Sequence, residues 1–267
     1  MLLSLLLTPS FAQDFPPPPK TATMASIYDG DTLTLDTGDK VRVSGVNTPE
    51  LRPAEDYGVE AREAAEAFLS GKELTLVYGA TERDGYGRLI SWVEVEGQSL
   101  SVHLVERGLA HVFLIPPNDT GDEAALLAAQ DKARKAKRGI WSTESYQSTF
   151  HFTSFHANAP GDDRENVNGE YLRLCNITTQ PQSLDGYRIT DATGASWDLP
   201  PIIVPAGHTV KIHSGIGDNQ ADPASQLAIF LGSPMPIWNN KEDRATLYDR
   251  YDAVVDTRLH TVQKATQ

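Results

Sequence analysis

Residues 42–50 read RVSGVNTPE, an extended run that ends in a proline-locked corner. With the lysine and valine before it, KVRVSGV alternates as a β-strand does, and the preceding TGD is a hairpin-type turn that follows a second short strand, TLTLD. Pro49 fixes its own φ and pushes Thr48 toward extended backbone. The Thr48 carbonyl and the side chains of Asn47 and Glu50 therefore point in set directions. Asn47 offers a carbonyl oxygen to a cation and Glu50 a carboxylate that can take a proton from water. Arg42 offers a planar fork of donors matched to phosphate.

Two further stretches change the weight of this corner. Upstream, YDGDTLTL sets Asp29 and Asp31 on either side of one glycine, which crowds two hard oxygen ligands of the kind that suit calcium or magnesium. Downstream, ERDGYGRLISWV reads as a tight loop, Asp84 to Gly87, with Arg88 leading into a strand. Taken singly, DGD is an ordinary turn and DGYGR an ordinary hairpin. Taken together, the pieces describe phosphodiester hydrolysis. Charge builds on the nonbridging oxygens during attack at phosphorus, and two guanidinium groups with a divalent cation neutralise it better in the transition state than in the substrate. Glu50 fits the remaining need, a base that positions or deprotonates water.

The surrounding pattern mixes short strands and helices from about Ala22 to Ser142. YGVEAREAAEAFLSG is an amphipathic helix with Val59, Ala64, Ala65, Phe68 and Leu69 on one side and Gly71 as its stop. KELTLVY and RLISWVEV are strands, and SLSVHLVERGLA is a helix with Ser99 or Ser101 as N-cap and Gly108 at its end. EAALLAAQDKARKAKRGIW is a longer helix with Lys132, Arg134, Lys135, Lys137 and Arg138 in its last turns. That placement favours the helix dipole and a solvated face, with attraction to phosphate as a lesser reading.

The order DGDT, R-x4-NTPE, D-x-YGR and a helix closing on GIW resembles the staphylococcal nuclease (thermonuclease) family over roughly residues 22–143. The resemblance implies an OB-fold β-barrel with helices and calcium-dependent cleavage of DNA or RNA. By position it makes Arg42, Glu50 and Arg88 the catalytic trio. Asp31, Asn47 and the Thr48 carbonyl become the metal ligands, with Asp29 behind them. Tyr86 is the candidate stacking partner for the substrate. Asn47 departs from the family pattern, which has a carboxylate there. The expectation is weaker calcium binding or another divalent preference, because ligand charge tunes affinity.

From about Phe150 the helices give way to short alternating runs, EYLRLCNI, GYRITD, HTVKIHSG and LAIFLG, separated by Gly, Pro, Asn and Asp. That grammar predicts an all-β sandwich. The glutamate run EYLRLCN, the LDGY turn, PAG and WNN resemble the lamin-tail type of immunoglobulin-like sandwich, over about 150–260. Leu172 and Leu174 fall on the inward face and Arg173 and Cys175 on the other. Gly186 and Gly207 read as turn glycines and Trp238 as a packing anchor. DDRENVNGE fails as an EF-hand loop, and no second active site emerges.

The expected organisation is a signal peptide and proline-rich linker over 1–19, the barrel over 20–145 and the sandwich over 146–267. The short apolar run before Ser10-Phe11-Ala12 reads as an export signal, placing the chain outside the cell, in a periplasm or on the envelope. It is too short to span a bilayer. Pro16 to Pro19 read as an extended spacer. One cysteine, Cys175, excludes an intrachain disulfide, and seven scattered histidines give no zinc pattern. The net charge of −13 is opposite to that of a protein that coats nucleic acid, although a local cleft or a bound cation can override it. The expected partner is DNA and/or RNA as substrate, with an unassigned partner for the sandwich. The competing reading is a noncatalytic nucleic-acid- or protein-binding module on a degenerate nuclease barrel. Retention of Arg42, Glu50 and Arg88 together speaks against it.

Overall fold

The computed structural model describes residues 15–118 and 121–262, so the expected signal segment lies almost wholly outside the described residues. Strands β1 (Thr21–Ile27), β2 (Thr32–Leu35) and β3 (Lys40–Val43) form an antiparallel meander. The short β4 (Gly45–Asn47) follows, then helix α1 (Gly58–Leu69), β5 (Glu73–Arg83) and β6 (Leu89–Val95). β5 pairs with both β1 and β6, and a parallel β3–β6 pairing closes the five strands into a barrel. Closure gives each of these five strands a partner on both sides. β7 (Gln98–Ser99) extends it briefly before α2 (Leu100–Glu106). β8 (His111–Phe113) then pairs with β4, and α3 (Glu123–Lys135) packs beside it.

The local signals largely explain these elements. Ser99 caps α2 by accepting the Val102 N–H, and Asp122 caps α3 by accepting the Ala125 N–H. α1 buries Ala61, Ala65, Phe68 and Leu69, while Val59, expected on that face, is 50% exposed. Val59 sits in the first turn, where the chain is still entering from the loop. The basic end of α3 serves the fold. Lys135 pairs with Asp131, Arg138 donates to the Glu106 carbonyl, and Arg134 lies over the Trp141 ring and donates to the Ile177 carbonyl of the second domain. The proline spacer is also less free than its composition suggests, because Tyr78 donates to the Pro19 carbonyl and Phe15 lies beneath Arg83.

The second half is a sandwich of two four-stranded sheets. One contains β9 (Phe150–His156) and β10 (Tyr171–Asn176), and the other adds β12 (Arg188–Thr190) and β13 (Ser196–Asp198), with β11 (Gln182–Ser183) and β14 (Ile203–Val204) forming a separate pair. β15 (Thr209–His213) and β16 (Leu227–Phe230), a parallel pair, complete the first sheet. β17 (Glu242–Tyr248) and β18 (Val254–Thr261) complete the second. Phe150, Phe152, Leu172, Leu174, Ile212 and Leu247 fill the space between sheets, and Trp238 is buried as expected, against Phe155.

The two domains share a packed junction. Leu114 donates to the Gly207 carbonyl and accepts from the Thr209 N–H, while Gln130 on α3 donates to the Ile177 carbonyl. Trp141, Tyr146, Cys175 and Ile177 form one apolar cluster across the seam. Cys175, placed by alternation on the outer face of β10, is fully buried here, because the barrel covers that face. Gly207 has φ +73, and a Cβ there would meet Val112 at 2.6 Å, so the close approach of the domains requires glycine.

His111 lies in this seam with no exposure, and burial, assisted by nearby His151, depresses its pKa to about 3. As pH falls below its ordinary value near 6.5, the unfolded chain takes up a proton that the folded chain refuses. Stability is therefore lost as pH drops from about 6.5 toward 3. At pH 5 the loss is about 2 kcal/mol. Urea unfolding at pH 7 and pH 5 checks this, and His111→Leu should remove about that much of the pH dependence. An identical dependence in the variant would refute the assignment.

Candidate active site

The barrel opens at the turn between β1 and β2 and at the loop after β4, and the two are stitched together by Asp31. Its Oδ2 accepts the Thr48 backbone N–H at 2.8 Å and the Thr48 hydroxyl at 3.1 Å, and lies 3.3 Å from Arg42 Nη2. Gly30 makes this stitch possible, since a Cβ there would fall 2.6 Å from Thr48 Cγ2 and 3.0 Å from Ala61. The glycine between the two aspartates is thus fixed by close packing rather than by a turn's need for positive φ.

Arg42 is held from several sides. Nη1 donates to the Val43 and Val46 carbonyls at 2.6 and 2.9 Å, and Nη2 donates to Asn47 Oδ1 at 3.0 Å. Its guanidinium also lies 5.6 Å from the Phe113 ring. Arg88 is organised by Asp84, whose carboxylate takes the Arg88 Nε–H at 2.7 Å and the backbone N–H groups of Tyr86 and Arg88. The terminal nitrogens of Arg88 carry no hydrogen bond to another described residue. Tyr86 is 72% exposed, with the Arg88 guanidinium 5.5 Å from its ring.

Glu50 is partly buried, and its backbone N–H is held by the Glu55 carboxylate at 2.9 Å. The other oxygen of Glu55 is bound at 2.5 Å by Arg258, a residue of the sandwich. Burial, with Asp31 and Glu55 nearby, raises the pKa of Glu50. Burial beside Asp31 raises Asp29 further, to about 7. Both shifts describe carboxylates crowded into a partly dry pocket.

Arg42, Glu50, Arg88, Tyr86, Asp31 and Asn47 line one cleft of about 1090 Å³. Thr48 does not reach its wall. It is buried behind Asp31, with the Asn47 amide 3.4 Å from its carbonyl. Among the described residues, no three His, Cys, Asp or Glu side chains form a ready-made metal cage. The expected oxygen donors that line the cleft are Asp31 and Asn47, hard ligands whose chemistry fits a calcium-like cation, while the third, the Thr48 carbonyl, is set back behind them. In this structure Arg42 engages the first two.

Residues 40–143 match the family model described as staphylococcal nuclease homologue, and residues 143–261 match the Lamin Tail Domain model. The chain is 32% identical over 130 residues to a thermonuclease of Staphylococcus hyicus, covering 46% of this chain and 76% of that protein. The chain belongs to the staphylococcal nuclease family. It is also 32% identical over 122 residues to a Staphylococcus intermedius thermonuclease, covering 43% of this chain and 72% of that one. An uncharacterized endonuclease of Escherichia coli is 30% identical over 118 residues, covering 43% and 73%. The barrel is accordingly a nuclease-like domain, joined in this family member to an immunoglobulin-like sandwich.

The cleft also has a second wall that the motifs did not announce. Thr153, Ser154, His156, Tyr171, Arg173 and Lys211 of the sandwich line it opposite the nuclease residues. The alternation of YLRLCN correctly set Arg173 on the face away from Leu172 and Leu174. Nothing in sequence spacing stated that the barrel's mouth lies against that face.

Proposed function

We infer that the chain is an exported endonuclease that hydrolyses phosphodiester bonds of DNA or RNA with calcium as cofactor. The observation that supports this best is the convergence of Arg42, Glu50 and Arg88 on one cleft beside the Asp31 and Asn47 oxygens. Named nucleases among the relatives point to the same substrate class. The apolar run ahead of Ser10-Phe11-Ala12 supports export.

In this reading the Arg88 terminal nitrogens and Arg42 bind the nonbridging oxygens of the target phosphate, where negative charge grows during attack. Glu50 lies on the same wall and takes a proton from the attacking water at its carboxylate. One P–O bond forms to the water oxygen as one ester P–O bond breaks, and the leaving oxygen is protonated from solvent. Asp31 and Asn47, the two expected ligands that line the cleft, would hold the cation, which when bound supplies further neutralisation of the phosphate. Asp84 keeps Arg88 oriented, and Glu55 holds the backbone that carries Glu50. The noncatalytic module predicts binding without cleavage and is separated by the same assay.

Plasmid and single-stranded RNA should be degraded by the full chain with calcium and remain intact with chelator. Glu50→Gln and Arg88→Ala should each lower turnover by about 10² or more at unchanged thermal stability. Wild-type rates in either variant would remove the assigned roles, and binding without cleavage under every divalent cation would establish the rival. Asn47→Asp should tighten calcium binding about tenfold in calorimetric titration, because it restores a ligand charge. Equal affinity would mean that Asn47 is not a ligand. Mass analysis of the secreted protein should show a chain beginning at Gln13. A species retaining Met1 would overturn the export reading.

A further inference from the structure

The sandwich wall of the cleft has an electrostatic feature that its fold does not require. On the antiparallel pair β10–β15, Arg173 and Lys211 are direct cross-strand partners. Both face the cleft and both are partly buried. Like charges set opposite each other on a sheet destabilise it. Among the described residues no carboxylate forms an ion pair with either, so none of these residues offsets the repulsion. Desolvation and the neighbouring cation lower the pKa of Lys211, as two half-dry positive groups side by side should.

Neighbouring groups hold these charges in place. The Lys211 ammonium sits 3.9 Å from the centre of the Tyr171 ring, whose plane is stacked on His156 at 4.2 Å. Arg173 donates to Thr209 Oγ1 at 3.1 Å and to Gln226 Oε1, both neutral acceptors that orient it without cancelling its charge. Tyr171 and Tyr86 line the same cleft, and Tyr86 is near enough to act on the Tyr171 hydroxyl, so this wall adjoins the loop that carries Arg88. Tyr86 itself is the exposed ring at this meeting point. A row of cations beside an exposed aromatic is how proteins track an unpaired strand, since phosphates follow the cations and unstacked bases offer their faces to rings.

We propose that the sandwich is a working half of the substrate site: Lys211 and Arg173 bind phosphates that flank the scissile one, and Tyr86 stacks a base of a single-stranded polynucleotide threading between the two domains. The inference rests on the nuclease reading of the barrel and adds a substrate form and a second grip. It also resolves the charge of the sandwich. From Gln147 onward the chain has 14 acidic and 9 basic side chains, which argues against a generally DNA-coating module. Two of the nine basic groups are nevertheless paired on the cleft face, where local fields outweigh net charge.

The test is fluorescence anisotropy of a labelled single strand of roughly a dozen nucleotides with the full chain in the Glu50→Gln background, in calcium, across a salt series. Lys211→Gln should weaken binding about tenfold and reduce the slope of log K against log salt by about 0.7, the value of one lost phosphate contact on a single strand. Lys211→Glu should weaken it further, and Lys211→Arg should restore it, which guards against a folding defect. In the otherwise wild-type chain, with Glu50 intact, Lys211→Gln should raise KM for the long strand more than it lowers kcat. Unchanged affinity and salt slope in both Lys211→Gln and Lys211→Glu would overturn the proposal while leaving cleavage by the barrel intact. If the wild type cleaves nothing but the Lys211 variants still lose binding, the nuclease reading falls and the strand grip stands. Equal or tighter binding of a duplex of the same length would overturn the single-strand assignment.

Discussion

One buried carboxylate organises the candidate site. Asp31 accepts two hydrogen bonds from Thr48 and lies beside the Arg42 guanidinium, which ties the first turn of the barrel to the loop carrying Asn47 and Glu50. Bonds to an ionised acceptor are roughly twice as strong as neutral ones, and breaking them would leave a buried amide unpaired. The β2–β3 hairpin sets Asp31 beside Arg42, and closure of the barrel adds the second arginine. In the parallel β3–β6 pairing Arg42 sits opposite Ile90. Arg88 lies two residues before Ile90 and so, by the period of a strand, shares its face. Closure therefore brings two arginines, distant in sequence, to one side of one seam.

The junction between the domains bears on the same groups. β8, the partner of β4, is also the strand whose neighbour Leu114 exchanges backbone hydrogen bonds with Gly207 and Thr209. Asn47 thus stands on a strand pair flanked on its far side by the sandwich. A second link runs from Arg258 through the Glu55 carboxylate to the Glu50 backbone. Neither side chain of that ion pair is fully exposed, so its geometry is less screened than that of a surface pair. The sandwich consequently supports the loop of Glu50 as well as facing it, and the apolar cluster around Trp141 and Ile177 makes independent motion of the two halves costly.

Much of this was legible in the sequence, and what was not has physical reasons. The strands with strong alternation, β2, β3, β5 and β6, and the capped helices announced themselves through local signals. β1 did not, because TATMASI buries one side chain and leaves most others partly or fully exposed, which blurs its period. That Arg42, Glu50 and Arg88 share one cleft follows from a proline corner and a tight loop, both local devices that sequence displays. Val59 was misplaced because helix periodicity describes a full turn, whereas the first turn of α1 is set by the loop before it. The interior position of Cys175 and the cleft-facing position of Arg173 could not be read, because alternation assigns a face but not what covers it.

The charge pattern of the cleft explains why one wall is not enough. On the barrel side Asp29, Asp31, Glu50 and Asp84 outnumber Lys40, Arg42 and Arg88, and both arginines are already engaged with carboxylates. Such a surface offers a polyanion little net attraction, and a chain of charge −13 gives no long-range assistance. A cation at Asp31 and Asn47 corrects the balance at one phosphate only, since its field is screened within about 8–10 Å in physiological salt. Phosphates further along a strand would need positive charge of their own, placed across the cleft and kept free of carboxylates. Among the described residues Arg173 and Lys211 satisfy that condition, and an anion between the walls relieves the cost of setting them side by side.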